Sequence, residues 1–170
     1  GLGPLSFHID GGECLALTGP SGAGKTLLLR ALADLDLNEG EVVMGGRLRS
    51  NLPAPEWRRR VGYVPAETGW WADLVGDHFS TPLQAAELLA QLGFTKPSQV
   101  LDWPVARLSS GERQRLALAR GLCCKTEVLL LDEPICGMGP AETEQTVEKI
   151  QELAKRIDIV IIEHDIEVVF

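Results

Sequence analysis

The chain has 170 residues, of which 45% are apolar and 24% charged. That suits one globular domain with at most a small subdomain, and it excludes disordered and collagen-like classes. Sixteen basic residues against 24 acidic ones leave a net charge of −8, the opposite of a basic nucleic-acid-binding surface, so no nucleic acid is expected as a partner.

No repeat, low-complexity tract or linker interrupts the chain. Residues 13–18 are a short apolar run closed by Gly19 and are predicted to form a buried strand. Residues 25–34 are nearly continuous in apolar character and are predicted to form a helix buried on most sides. Residues 41–44, a Gly45-Gly46 turn and residues 47–49 suggest a small hairpin, and residues 61–64 a strand closed by Pro65. The middle, 66–107, is irregular: Pro82 starts a helix over 83–91, while Gly93, Pro97 and Pro104 act as breakers. Beyond it, 111–123 reads as helix, 128–131 as buried strand, 141–156 as helix and 157–162 as a third buried strand. Short apolar strands alternating with helices predict an α/β fold with a mainly parallel sheet covered on both faces, with 66–107 as a helical insertion.

The four cysteines, Cys14, Cys123, Cys124 and Cys136, are too few for a disulfide framework and show no zinc spacing. They are read as buried, reduced thiols of a cytosolic protein. The longest apolar runs fall far short of the ~20 residues of a membrane span.

Gly19, Pro20, Ser21, Gly22, Ala23, Gly24, Lys25 and Thr26 fit G-x-x-x-x-G-K-[ST], between a predicted strand and a predicted helix. Glycines let such a loop curl its N–H groups around phosphate oxygens. Lys25 reaches the β- and γ-phosphates in this reading, and Thr26 places its hydroxyl on Mg²⁺. A structural turn would need neither the Lys nor the Thr. The run 128–131 ends in Asp132 and Glu133, at the carboxyl end of a parallel strand, where α/β sheets bind ligands. Asp132 suits a water-mediated Mg²⁺ contact and Glu133 a base or polariser for an attacking water. Ser109 and Glu112 have capping-box spacing, and a capped helix start also binds anions.

Taken together, the phosphate loop, the segment Leu108-Ser109-Ser110-Gly111-Glu112-Arg113-Gln114-Arg115, the strand ending in Asp132-Glu133-Pro134, and Ile162-Glu163-His164-Asp165 resemble the ATP-binding cassette (ABC) ATPases over nearly the whole chain. The resemblance implies a P-loop NTPase core with ATP and Mg²⁺ as cofactors. It implies head-to-tail pairing with a second nucleotide-binding domain, each ATP lying between the phosphate loop of one subunit and the signature of the other. Ser109, Ser110, Gly111 and Glu112 then serve the partner's ATP, Ser109 and Gly111 at its γ-phosphate. Glu133 polarises water, and His164 links the γ-phosphate to Glu133.

The match has departures. Ser110 stands where the family has Gly, and Glu112 where it has Gln; the Glu112 side chain is expected to point away from phosphate. The Mg²⁺-touching Gln after residues 61–65 is replaced by Ala66, and Glu67 is the substitute ligand that a one-residue shift would offer. Gly139 takes the place of an Asp that crosses the dimer interface, which puts subunit communication in doubt. The family's upstream strands, adenine-stacking aromatic and downstream continuation have no counterpart here, implying a trimmed or abbreviated member. Phe7 is read as core-strand and so is not assigned to adenine.

The expected function is the ATPase subunit of an ABC transporter, on the cytoplasmic face of a membrane through a separate permease. Residues 1–170 are read as one nucleotide-binding domain. Trp70, Trp71 and Phe79 offer either a docking surface or core packing. The alternatives are a soluble cassette ATPase of DNA repair, chromosome maintenance or translation, and a nucleotide-binding regulator that does not hydrolyse.

Overall fold

The structure, a computed structural model, describes residues 3–163. Its strands are β1 (Cys14–Leu17), β2 (Val43–Met44), β3 (Arg47–Leu48), β4 (Val61–Val64), β5 (Val128–Asp132) and β6 (Asp158–Ile162). The helices are α1 (Lys25–Leu32), α2 (Ala54–Arg60), α3 (Pro82–Gln91), α4 (Pro97–Val100), α5 (Ser110–Cys123) and α6 (Pro140–Ala154). Four strands form a parallel sheet in the order β1-β6-β5-β4, while β2 and β3 form the expected hairpin. In the parallel pairs, Leu17 stands opposite Ile162, Asp132 opposite Ile162, and Tyr63 opposite Leu130.

Successive side chains of a strand point to opposite faces, and the core divides accordingly. Cys14, Ala16, Leu129, Leu131, Ile159, Ile161 and Val64 join one cluster with α5, α6 and the middle segment, represented by Leu116, Ile150 and Leu89. Leu15, Leu17, Leu130, Val160, Ile162, Val61 and Tyr63 join the other, with Leu29 of α1, Ala33 just beyond it and Trp57 of α2. The result is the expected sheet between two helical layers. Helix α5 lies directly on the edge strand β4: a Cβ on Gly121 would come 2.7 Å from Val64 Cγ2.

The middle segment is helical as expected, built from α3, α4 and two 3₁₀ turns, Val75–His78 and Val105–Arg107. Val75, Ala85, Leu89, Leu92, Phe94, Val100 and Val105 are buried there, in the same cluster as α5. Helix α2 has no counterpart among the elements expected from sequence. Its signals are Pro55 at the start and Arg58, Arg59 and Arg60 in the last turn. It is anchored by buried Trp57, whose Nε1 donates to the Leu32 carbonyl at 2.9 Å.

Three expectations are corrected. Helix α1 is buried along one line, at Leu29, while Leu27 is 52% exposed, because a helix in an outer layer meets the sheet on a single face. Phe7 lies in no strand and is 44% exposed; its flanks, Gly3-Pro4 and Asp10-Gly11-Gly12, are breakers and form no strand of the sheet. The cysteines are all free thiols, but none is fully buried: Cys14 and Cys123 are half-buried, and Cys124 and Cys136 exposed. Among the described residues no helix is long and apolar enough to cross a membrane.

Candidate nucleotide site

The loop Gly19 to Gly24 joins β1 to α1. Gly22 and Gly24 take φ of 80° and 95°, a region that L side chains rarely enter, so the curl needs glycine there. The first N–H groups of α1 have no intrahelical acceptor, and Lys25 and Thr26 are its first two residues. Lys25 Nζ lies across the loop, donating to the carbonyls of Gly19 at 2.7 Å and Pro20 at 3.1 Å. A phosphate in the loop would compete for that ammonium with charge-assisted bonds, the stronger kind.

Asp132 is buried at the carboxyl end of β5, on the same face as Leu130 and therefore on the α1 side. Thr26 Oγ1 donates to its Oδ1 at 3.2 Å, and Tyr63 Oη to its Oδ2 at 3.0 Å. The fold thus brings together residues 106 apart in sequence. Burial and the charge of Asp132 raise the Tyr63 hydroxyl above its ordinary value, so it stays protonated and donates. Tyr63 was not among the sequence candidates. Its signal is the strand period: it shares a face with Val61 and is paired with Leu130, two residues before Asp132.

Glu133 follows with φ of 50°. Left-handed backbone at a residue with a Cβ costs roughly 1–2 kcal/mol, and such strain gathers at functional sites. Its N–H donates to the Ile162 carbonyl at 3.0 Å, and its carbonyl accepts from Gln114 Nε2 at 3.1 Å. His164 lies outside the described residues.

The signature opens α5 as the capping box expected. Glu112 N–H donates to Ser109 Oγ at 3.2 Å, and Ser109 N–H to Glu112 Oε2 at 2.8 Å. The Glu112 carboxylate is folded back on its own helix start. Ser109 and Ser110 are exposed, and Ser110 Oγ donates to the Gly137 carbonyl at 3.1 Å. Gly111 is buried: a Cβ there would come 2.7 Å from a Glu142 carboxylate oxygen. Glu142 itself is turned inward. It pairs with Arg115 and accepts from the Gly139 N–H at 3.1 Å. At residue 139 the chain therefore presents a helix start whose nearby acid is already engaged.

Ala66 offers its backbone: its carbonyl accepts from Gln114 Nε2 at 3.0 Å. Glu67 is exposed, and among the described residues no hydrogen bond or ion pair joins it to Thr26 or Asp132. Of the middle aromatics, Phe79 is buried in the core and is not surface. Trp70 is half-buried against the core, whereas Trp71 is 69% exposed; the Arg120 guanidinium stands 5.0 and 4.7 Å from their ring centroids.

The family model for ABC transporters matches residues 2–136. The cobalt import ATP-binding protein CbiO of Rhodobacter capsulatus is 37% identical over 181 residues, covering 98% of this chain and 65% of its own length. This chain thus spans under two thirds of that relative. A bacterial Atm1-family ABC exporter with ATP bound shares the fold with a TM-score of 0.88 at 24% identity, over 99% of this chain and 32% of the exporter chain. A dimeric ATP-binding cassette in a post-hydrolysis state, bound to ADP and Pi, matches with a TM-score of 0.82 at 24% identity, over 96% and 79%. The match to the family model spans well over half of the chain, phosphate loop and signature helix included, and the chain belongs to the ABC transporter family of ATP-binding domains.

Proposed function

We propose that residues 1–170 form one nucleotide-binding domain that binds and hydrolyses ATP as half of a head-to-tail pair and so powers a transporter. The observation that carries this reading is the contact of Thr26 with Asp132, which joins the phosphate loop to the acidic end of β5 one residue before Glu133. Residues Gly19 to Thr26 cradle the phosphates. Glu133 polarises the attacking water, and His164 assists it. Ser109 and Ser110, exposed at the start of α5, face the partner's nucleotide, with Gly111 beneath them.

Mg²⁺ suits the donor set. It takes hard oxygen ligands, commonly one or two from protein with the rest from phosphate and water. Thr26 Oγ1 and Asp132 Oδ1 are two such oxygens held together. No group of three His, Cys, Asp or Glu able to hold a metal occurs among the described residues, so these residues would bind the ion together with the nucleotide. Once bound, the ion neutralises phosphate charge. Glu67, exposed, is the weaker candidate for a further ligand.

The transport role draws on the similarity to a cobalt import ATP-binding protein. The partners are a second nucleotide-binding domain and a separate permease, which would hold the chain at the cytoplasmic face of a membrane. Glu133→Gln keeps shape and removes charge. It is expected to retain ATP binding and to lose ~10²- to 10⁴-fold in turnover, read as steady-state phosphate release. Turnover above about a third of wild type would remove Glu133 from its role.

A further inference from the structure

We propose that Gln114 is a positioning residue that fixes the backbone of Glu133 from the signature helix, setting turnover without contributing to nucleotide affinity. This rests on the hydrolytic reading of Glu133 given above.

Glu133 adopts φ of 50° although it carries a side chain. Such conformations persist only where the surroundings over-determine them. Among the described residues three hydrogen bonds hold this one. The N–H reaches Ile162 at 3.0 Å, continuing the β5–β6 ladder; the carbonyl accepts from the Cys136 N–H at 3.2 Å, closing the following turn. Both are main-chain bonds to nearby segments of the same chain. The third comes from a different layer: Gln114 Nε2, on α5, at 3.1 Å. The same nitrogen donates to the Ala66 carbonyl at 3.0 Å. A side-chain amide has two N–H groups, and two carbonyls receive them here. Gln114 is only 7% exposed, so no bulk water stands ready to replace it.

One buried side chain thus ties the end of β5 to the end of β4. It does so five residues after Ser109, a little over one helical turn into α5. If the first turn of α5 shifts when it meets a partner's nucleotide, the shift reaches the Glu133 and Ala66 carbonyls through this amide. Leaving the left-handed region would re-aim the Glu133 Cα–Cβ bond, and with it the carboxylate. Gln114 itself makes no bond to the phosphate loop, so phosphate affinity should not feel its loss.

The test uses the purified full chain and Gln114→Leu, similar in size but without donors. ATP turnover is expected to fall at least about tenfold, within the ~10²-fold that a misplacement of about 1 Å can cost. Affinity for a fluorescent ATP analogue should stay within about threefold, the pattern of a lost transition-state interaction. In the Glu133→Gln background, Gln114→Leu should cost nothing further, because a carboxylate already removed cannot be misplaced. Turnover of Gln114→Leu within about threefold of wild type, or losses that multiply in the double variant, would overturn the proposal.

Amide hydrogen exchange of the peptide spanning residues 133–138 is read alongside: faster exchange in Gln114→Leu supports the role, and unchanged exchange overturns it. That measurement needs no hydrolysis, so a wild type without turnover would sink the ATPase reading and still leave Gln114 judged. Should Gln114→Leu not fold, Gln114→Glu keeps the length and regains one donor when protonated. Its turnover relative to wild type should then rise as pH falls from about 8 to about 6, and a flat ratio overturns the proposal.

Discussion

The rim formed by the ends of β1, β4 and β5 and the inserted segment 66–107 are held by different forces. At the rim, single polar contacts decide: Lys25 on the Gly19 and Pro20 carbonyls, Thr26 and Tyr63 on Asp132, Gln114 on Ala66 and Glu133. Backbone in the positive-φ region collects there too, at Gly19, Gly22, Gly24, Glu133 and Gly137. In the insert only Gly93 has positive φ, and the segment is held by buried Val75, Phe79, Leu89, Leu92, Phe94 and Val100. A polar rim constrains which residue stands at each place. An apolar insert constrains volume and leaves identity freer.

The largest expected effect lies in the insert. Leu89 is fully buried, and Leu89→Ala should cost about 2–5 kcal/mol of stability, measured by denaturant unfolding. ATP affinity per folded molecule should be unchanged; a large drop would show that the insert shapes the phosphate site and would break the division. The converse is Lys25→Ala. Losing a charged hydrogen bond is worth about 1.5–3 kcal/mol, or roughly ten- to 150-fold in ATP affinity, read by calorimetric titration. Its unfolding midpoint should move little, and a loss of stability as large as that of Leu89→Ala would also break the division.

The smallest effect sharpens the seam between the regions. His78 is buried in the insert, and its Nε2 accepts from the N–H groups of Trp71 and Ala72 at 3.1 and 3.2 Å. Its Nδ1 therefore carries the proton and donates to the Leu74 carbonyl at 3.0 Å. His78→Leu strands those groups, but Trp71 beside them is exposed and water can reach them. The cost should be about 1 kcal/mol, accompanied by a change in tryptophan fluorescence as the imidazole, whose centroid lies 4.5 Å from that of Trp71, is removed. A spectrum identical to wild type would show that Trp71 is held by Arg120 alone.

The same division explains what could be read from sequence. Gly19 to Thr26 and Asp132-Glu133 were legible as candidates because binding phosphate and activating water call for those residue types at fixed spacing. The strands 61–64, 128–132 and 158–162 were legible within a residue because their apolar runs end in breakers or charges. Tyr63 and Gln114 were not, since their partners are an acid across the sheet and two backbone carbonyls, which leave no mark in local sequence. Phe7 was misread because an apolar residue near a strand pattern carries no record of whether a partner strand exists. The 3₁₀ turns of the insert, Val75–His78 and Val105–Arg107, lack the 3.6-residue period and were seen only as irregularity.

Strand β5 ends in the buried acid Asp132, and the chain turns left-handed at the next acid, Glu133. Asp132 shares the face of Leu130, toward α1, and Leu129 and Leu131 share the other, toward α5 and α6. Changing one of these leucines to another aliphatic residue should be tolerated at about 1.5 kcal/mol or less. Adding or deleting one residue in the strand would exchange the faces and turn Asp132 away from Thr26, toward the layer that holds α5. The length of β5 is accordingly under tighter selection than its spelling, and deep insertion scanning should find it intolerant at positions where substitution scanning finds it permissive.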